Sequence, residues 1–269
     1  MNYRKAIFSD LNDISYLVTN LLGTCNINKN SINVSKIDIL NGNKKERREL
    51  PKIELKEYTN KYICLIAFII CLGILLFGSK IITKFWMLIV FYVVILSLMI
   101  GVFYKQLIHD FKIFKSYFKE YFVLILKTWG KALVLIMITT IIIQIITHTT
   151  QANNQIALQN LFNSNPVFIA ILAMFYAPIA EELMFRGVFR KFIKNKKLFV
   201  IVSGVVFGLM HVIDDSKTLA EFSYVFVYSI LGIYLAGIYA RTNNLCTNIF
   251  MHFMQNTLSV MGMILLMFM

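Results

Sequence analysis

Five ionisable or strongly hydrogen-bonding side chains, Glu181, Glu182, His211, His252 and Asn256, fall inside long apolar stretches of the last hundred residues. An ionisable group in a membrane-spanning segment costs about 2.5–3.5 kcal/mol on insertion scales, so each is a functional candidate. In the string Ala177-Pro178-Ile179-Ala180-Glu181-Glu182-Leu183-Met184-Phe185-Arg186, Glu182 and Arg186 are four apart and can pair on one helix face, in the favourable acid-before-base order. Glu181 is rotated by about 100° from Glu182 and has no such local partner, which leaves its carboxylate available as a general base. Phe207-Gly208-Leu209-Met210-His211 sets an imidazole one turn after an aromatic, beside a glycine that permits close helix approach. His252 and Asn256, at i and i+4, project from one face; they can donate two hydrogen bonds to one oxygen, or His252 can bind a metal while Asn256 orients water. A lone membrane histidine, or a His/Asn pair, serves equally well as an interhelical clamp.

These groups need a scaffold that brings separate helices together, and the composition says which kind. Of the 269 residues 58% are hydrophobic and 15% charged, more apolar surface than a soluble domain of this length can bury. The fold class expected is all-α, a polytopic transmembrane helix bundle of about seven spans with a small polar N-terminal region. About 20 helical residues cross a bilayer. Segments of that kind run from Tyr62 to Gly78, Phe85 to Tyr104, Trp129 to Thr147, Val167 to Phe185, Leu198 to Ile213, Phe222 to Ala240 and Leu245 to Met269, the third and fifth being short. Residues 1–60 form a cytoplasmic N-terminal region and 61–269 the transmembrane domain, with its chemistry in 167–269.

A net charge of +13 would suggest nucleic acid for a soluble protein, but here the basic residues sit in short runs between apolar stretches, the pattern of cytoplasmic loops. No nucleic-acid partner is expected; membrane lipids are. Arg47, Arg48, Lys52, Lys56 and Lys61 place the N-terminal region inside, as do five lysines between Lys105 and Lys127 and the run Arg186, Arg190, Lys191, Lys194, Lys196, Lys197. The uncharged linker Thr149 to Pro166 and the acidic one from Asp214 to Glu221 belong outside. A multi-pass protein of the cell membrane with a cytoplasmic N-terminus follows. Phe111, Phe114, Phe118, Tyr121, Phe122 and Ile125 recur at helical spacing opposite Lys112, Lys115 and Lys119, the pattern of an amphipathic helix on the inner leaflet. Cys25, Cys64, Cys71 and Cys246 contain no CxxC pair and read as core or lipid-facing thiols. The polar N-terminus holds no cleavable signal peptide, so the first apolar segment starts insertion.

The order Glu-Glu-x-x-x-Arg, Phe-x-x-x-His and His-x-x-x-Asn on separate apolar helices resembles the CAAX protease and bacteriocin-processing (CPBP, or Abi) family of intramembrane peptidases. All three motifs match from Val167 to the C-terminus. The resemblance implies that Glu181 and His211 activate a water, that His252 and Asn256 stabilise the oxyanion, and that Glu182, Arg186 and Phe207 hold the site. It implies a hydrolase acting on a membrane-associated peptide or protein, in a water-filled cavity opening to the cytoplasm. Glu181, His211 and His252 would also suit Zn²⁺ with an open water position, and whether a metal takes part stays open. The Ile, Asn and Lys bias points to an AT-rich bacterial genome, hence to peptide pheromones, bacteriocin precursors or membrane-protein tails rather than prenylated proteins. The competing classes are a non-catalytic scaffold or bacteriocin self-immunity protein, and an ion-coupled transporter, for which no inverted repeat is visible. At the other end, Tyr3 to Ser9 alternates like a strand, and Asp10 can cap a helix with Leu11, Ile14, Leu17, Val18, Leu21 and Leu22 on one stripe. These residues resemble the opening strand and helix of Gcn5-related acetyltransferases. No glycine-rich acetyl-CoA loop follows, so no acetyltransferase activity is implied.

Overall fold

Local chemistry marks out the helices of this chain, which a computed structural model describes over residues 49–78, 85–213 and 216–268. Helix α1 is Lys61–Gly78, α2 Phe85–Ser116 and α3 Phe118–Thr147, the last ended by His148 in the left-handed region at φ 55°. Helix α4 is Asn153–Ser164, and α5, Pro166–Phe192, opens with proline at its first position, where a missing N–H costs nothing. Helix α6, Lys196–Met210, is capped by the Asn195 side chain, which accepts from the Lys197 and Leu198 amides. Helix α7, Leu219–Phe222, carries a capping box between Thr218 and Glu221. Helix α8, Val225–Thr242, stops at Asn243 (φ 48°), and α9, Leu245–Met267, starts at once on the Asn244 side-chain cap.

Among the described residues there are no strands, and the all-helical class stands. Five helices are long and apolar enough to cross a membrane: Trp86–Ser116, Phe118–Thr147, Pro166–Phe192, Leu219–Thr242 and Leu245–Met267. The other two expected spans are the shorter helices α1 (18 residues) and α6 (15 residues), so the count of seven holds only approximately. Outward faces are apolar; on α3, Ile145 is 67% and Ile146 72% exposed, which only a lipid solvent would favour over two consecutive isoleucines.

The separate amphipathic helix expected between Phe111 and Ile125 does not form. Helices α2 and α3 continue through that stretch from either side and break only at Tyr117. The reason is packing: Phe114 and Tyr121 are buried and stack on each other at 5.7 Å, and Phe250 of α9 contacts Phe114, Phe118 and Phe122. An apolar face that meets another helix has no reason to lie on a membrane. The acetyltransferase-like stretch and the signal for an N-terminal region up to Arg48 lie outside the described residues.

Two contacts position the chemistry-bearing helices. Helices α6 and α8 meet backbone to backbone: a Cβ on Gly208 would lie 2.7 Å from Ser229 N and 2.8 Å from Val225 O, and one on Gly204 2.7 Å from Ile233 N. Moving the Ser229 and Ile233 side chains would not relieve the clash, because main-chain atoms stand behind them, so this Gly-x-x-x-Gly stripe sets the depth of His211. Asp110 of α2, 1% exposed, accepts from the Leu245 amide at 2.9 Å, and its own carbonyl accepts from Asn244 Nδ2 at 2.8 Å. A carboxylate on the first amide of α9 meets the positive end of the helix dipole and anchors the helix that carries His252. Cys64 and Cys71 are buried free thiols in the core, Cys246 is a partly buried one, and Cys25 lies outside the described residues.

Candidate active site

Helix α5 is not a uniform helix. It runs as α-helix over Pro166–Ile171, widens to a π-turn over Leu172–Tyr176, returns to α over Ala177–Glu181, and widens again over Glu182–Val188. Pro178 accounts for the first widening. In the π-turn the Ala177 amide donates to Leu172 O, five residues back, so the next carbonyl in register, that of Ala173, looks to Pro178, which has no N–H. Asn256 of α9 fills the gap: its Nδ2 donates to Ala173 O at 2.8 Å. In the second widened turn Ser203 Oγ of α6 donates to Phe185 O at 2.9 Å. Neighbouring helices thus complete the hydrogen bonds that the broken helix leaves open, as the absence of water in hydrocarbon demands.

The two adjacent carboxylates end up in different surroundings. Glu182 is fully buried and wholly engaged: Oε1 accepts from Arg186 Nη1 at 3.1 Å and from His252 Nδ1 at 2.9 Å, and Oε2 from Asn248 Nδ2 at 3.3 Å. Arg186, also fully buried, donates from Nη2 to Gly232 O at 2.9 Å and lies with its Cζ 4.7 Å from the centre of the Phe207 ring. Phe207 is the floor of the site, its ring 4.4 Å from that of His211 and 5.8 Å from that of His252.

Glu181, 25% exposed in its side chain, faces the opposite way. Its Oε2 is buried without a hydrogen-bond partner, 3.9 Å from His211 Nε2 and 3.8 Å from His252 Nε2. Both imidazoles are held by their other nitrogen. His211 Nδ1 lies 2.8 Å from Phe207 O, and since a carbonyl only accepts, Nδ1 carries the proton there. The same reasoning puts a proton on His252 Nδ1, against the Glu182 carboxylate. In the neutral rings each Nε2 then offers a lone pair. Three acceptors converge on one gap, and a water with two protons is the molecule such a gap suits.

The convergence also explains how two histidines so differently placed along their helices meet. His211 follows the start of α6 by fifteen residues and His252 the start of α9 by seven, an offset of about 12 Å at 1.5 Å per residue. The helix starts are staggered, with the glycine contacts fixing one and Asp110 the other.

One carboxylate and two imidazoles are the donor types of a zinc site. The spacing is wider than that chemistry needs. Ligand atoms around tetrahedral Zn²⁺ stand about 3.3 Å apart, whereas Glu181 Oε2 is 3.8 and 3.9 Å from the two nitrogens. Among the described residues no group of three His, Cys, Asp or Glu side chains is arranged to hold a metal ion. As placed, the three groups leave a gap of the size a water would fill.

Of the residues singled out in the sequence, Glu181, His211 and His252 come together, Glu182, Arg186 and Phe207 surround them, and Asn256 turns to Ala173 instead. Two further residues belong to the arrangement. Asn248 binds Glu182 and also donates to Leu235 O at 2.6 Å; its signal was in the sequence, because Asn248, His252 and Asn256 recur every four residues on one face of α9. Tyr228 of α8 stacks on His211 with ring centres 4.8 Å apart, and no spacing on α8 announces it.

The contact of Asn256 leads to a test. Asn256→Ala leaves Ala173 O without a donor and is expected to destabilise the protein by about 1–3 kcal/mol, read as a lower unfolding temperature in lipid nanodiscs. Asn256→Asp, which accepts but does not donate when ionised, is expected to give no rescue. Unchanged stability with a large loss of rate would instead make Asn256 the oxyanion donor that the motif resemblance implies.

Residues 163–258 match the family model described as Type II CAAX prenyl endopeptidase Rce1-like, and that stretch contains every motif residue from Glu181 to Asn256. The chain is also 29% identical over 113 residues to a Bacillus subtilis (strain 168) protein described as "Putative membrane peptidase YdiL". That match takes in 41% of this chain and 43% of the relative, so the chain spans less than half the length of the relative it matches. No solved structure matches the chain. The resemblance of the three motifs to the CAAX protease and bacteriocin-processing family therefore holds over the segment that carries them.

Proposed function

We propose that this protein is an intramembrane endopeptidase that hydrolyses a peptide bond of a membrane-associated peptide or protein with a water activated by Glu181. The observation that carries the reading is the unpartnered Glu181 Oε2, bracketed by the Nε2 atoms of His252 and His211 at 3.8 and 3.9 Å. A scaffold would have no use for a buried carboxylate oxygen left without a partner. The match of residues 163–258 to the CAAX prenyl endopeptidase family model and the similarity to the relative described as "Putative membrane peptidase YdiL" support it.

In this reading the water donates one proton to Glu181 and attacks the scissile carbonyl carbon, while His211, steadied by Phe207 O and the Tyr228 ring, orients it. The tetrahedral intermediate carries a negative oxygen. His252 meets it in its imidazolium form, which takes a proton from solvent at Nε2 before the attack, donates from there to the oxyanion, and is compensated by Glu182 through Nδ1. The proton on Glu181 passes to the leaving nitrogen as the C–N bond breaks, and the new carboxylic acid gives its own proton to the amine, so that carboxylate and ammonium products form. Arg186 pairs with Glu182 and holds it in place but does not reach the reacting atoms. Were Zn²⁺ bound, Glu181, His211 and His252 would have to draw closer than they stand here to hold it, and it would supply polarisation of the water.

Quantitative membrane proteomics tests the reading. Cells carrying Glu181→Gln are expected to accumulate uncut precursors that cells carrying the wild-type protein process; identical peptide termini in the two would overturn it. The loop charges support a cytoplasmic N-terminal region in the cell membrane. A reporter cysteine near Lys196 is then expected to be protected from an impermeant thiol reagent in intact cells and one near Asn154 to react; the reverse pattern would invert the orientation.

A further inference from the structure

A cavity of about 220 Å³ adjoins the site, at the end of the bundle bearing α4 and the uncharged linker rather than the basic end at which an opening was expected. A smaller one, about 70 Å³, lies among the basic side chains Lys56, Arg190, Lys191 and Lys194. Two walls of the larger cavity adjoin the catalytic groups. One wall is Tyr228, whose ring stacks on His211; another is Gln255, three residues after His252 on α9.

Its walls are apolar along Ile136, Val227 and Leu231 and polar elsewhere. Thr140, Gln144, Gln151, Gln155, Gln255 and Ser259 face it, and no charged side chain does. Gln255 Oε1 accepts from Trp129 Nε1 at 2.9 Å and Gln144 donates to Thr150 O. Among the described residues no hydrogen bond involves the side chains of Gln151, Gln155 or Thr140.

We infer that this cavity is the subsite for the substrate stretch flanking the scissile bond, and that it takes an unwound, uncharged peptide segment. The inference rests on the peptidase reading above. A peptide in a helix has no free carbonyl for a water to attack, so the segment must unwind, and each unwound residue exposes one donor and one acceptor that hydrocarbon cannot satisfy. A carboxamide supplies both a donor and an acceptor, which matches a peptide bond group for group. A lipid or isoprenoid chain would strand the amides without partners, and a charged side chain would find no counter-ion.

The chain carries its own reporter. It has two tryptophans, and in a Trp86→Phe variant the remaining one, Trp129, is hydrogen-bonded to the cavity wall. The full chain with Trp86→Phe and Glu181→Gln, in nanodiscs, is titrated with an apolar-flanked decapeptide whose centre is Ser-Gln-Thr, with the same peptide carrying Lys or Glu at its centre, and with farnesol. Saturable change of Trp129 emission is expected with the uncharged peptide, and affinity about tenfold or more lower with either charged one. Gln151→Leu with Gln155→Leu is expected to weaken the uncharged peptide by a similar factor, since its backbone loses the carboxamides. Equal binding of charged and uncharged peptides, no saturable response to the uncharged one, or tighter binding of farnesol would overturn the proposal. Because binding is read with Glu181 replaced, it stands or falls without cleavage. Uncharged peptides that bind but are cut no faster by the Glu181 form would count against the peptidase reading alone.

Discussion

Glu181→Gln and His211→Ala are each expected to abolish turnover, and the double variant to be no slower than either single one. Groups that act on one water form a unit: the first loss already removes the pathway the second would impair. The geometry makes Glu181 the centre, since its Oε2 lies 3.9 and 3.8 Å from the two imidazoles. His252→Ala is expected to be milder, a fall of roughly 10²–10³ in kcat, if its part is to meet the oxyanion. Single-turnover cleavage of a precursor found by proteomics, with purified protein in nanodiscs, measures all four. Strictly additive losses would show that the residues do not share a water. A loss at His252 as deep as that at Glu181, together with inactivation by a chelator and recovery with Zn²⁺, would assign the three to a metal instead.

Removing either member of the Glu182–Arg186 pair is expected to lower stability by about 3–5 kcal/mol, the cost of leaving one buried charge uncompensated. Both side chains have no exposed surface. Glu182→Gln disturbs more than the pair, because the same carboxylate holds His252 and Asn248. Arg186→Met leaves the buried Glu182 carboxylate without its cation and removes the donor to Gly232 O, at the glycine where α8 packs on α6. Both variants should therefore show low membrane abundance and early thermal unfolding along with lost activity. If Glu182→Gln is as abundant and stable as the wild type while activity disappears, the roles of the two carboxylates should be exchanged.

What the sequence determined by itself is whatever depends on local periodicity and on the solvent. Long apolar stretches had to become helices in lipid, since no other backbone satisfies its own hydrogen bonds there. Adjacent glutamates on a helix had to point about 100° apart, which was enough to see that only Glu182 could reach Arg186. The recurrence of Asn248, His252 and Asn256 along one face was equally legible.

Tertiary structure decided the rest, because it turns on where helices meet. That Phe114 and Tyr121 pack under Phe250, and so extend two long helices instead of forming a surface one, follows from a neighbour more than a hundred residues away. The partner of Asn256 exists only because Pro178 and a π-turn free Ala173 O, and a regular 3.6-residue reading of α5 contains no such carbonyl. The meeting of His211 and His252 at one oxygen required helices offset by about 12 Å. That offset is set by backbone contact at Gly204 and Gly208 and by Asp110 on the first amide of α9, long-range contacts that no window along the chain can show.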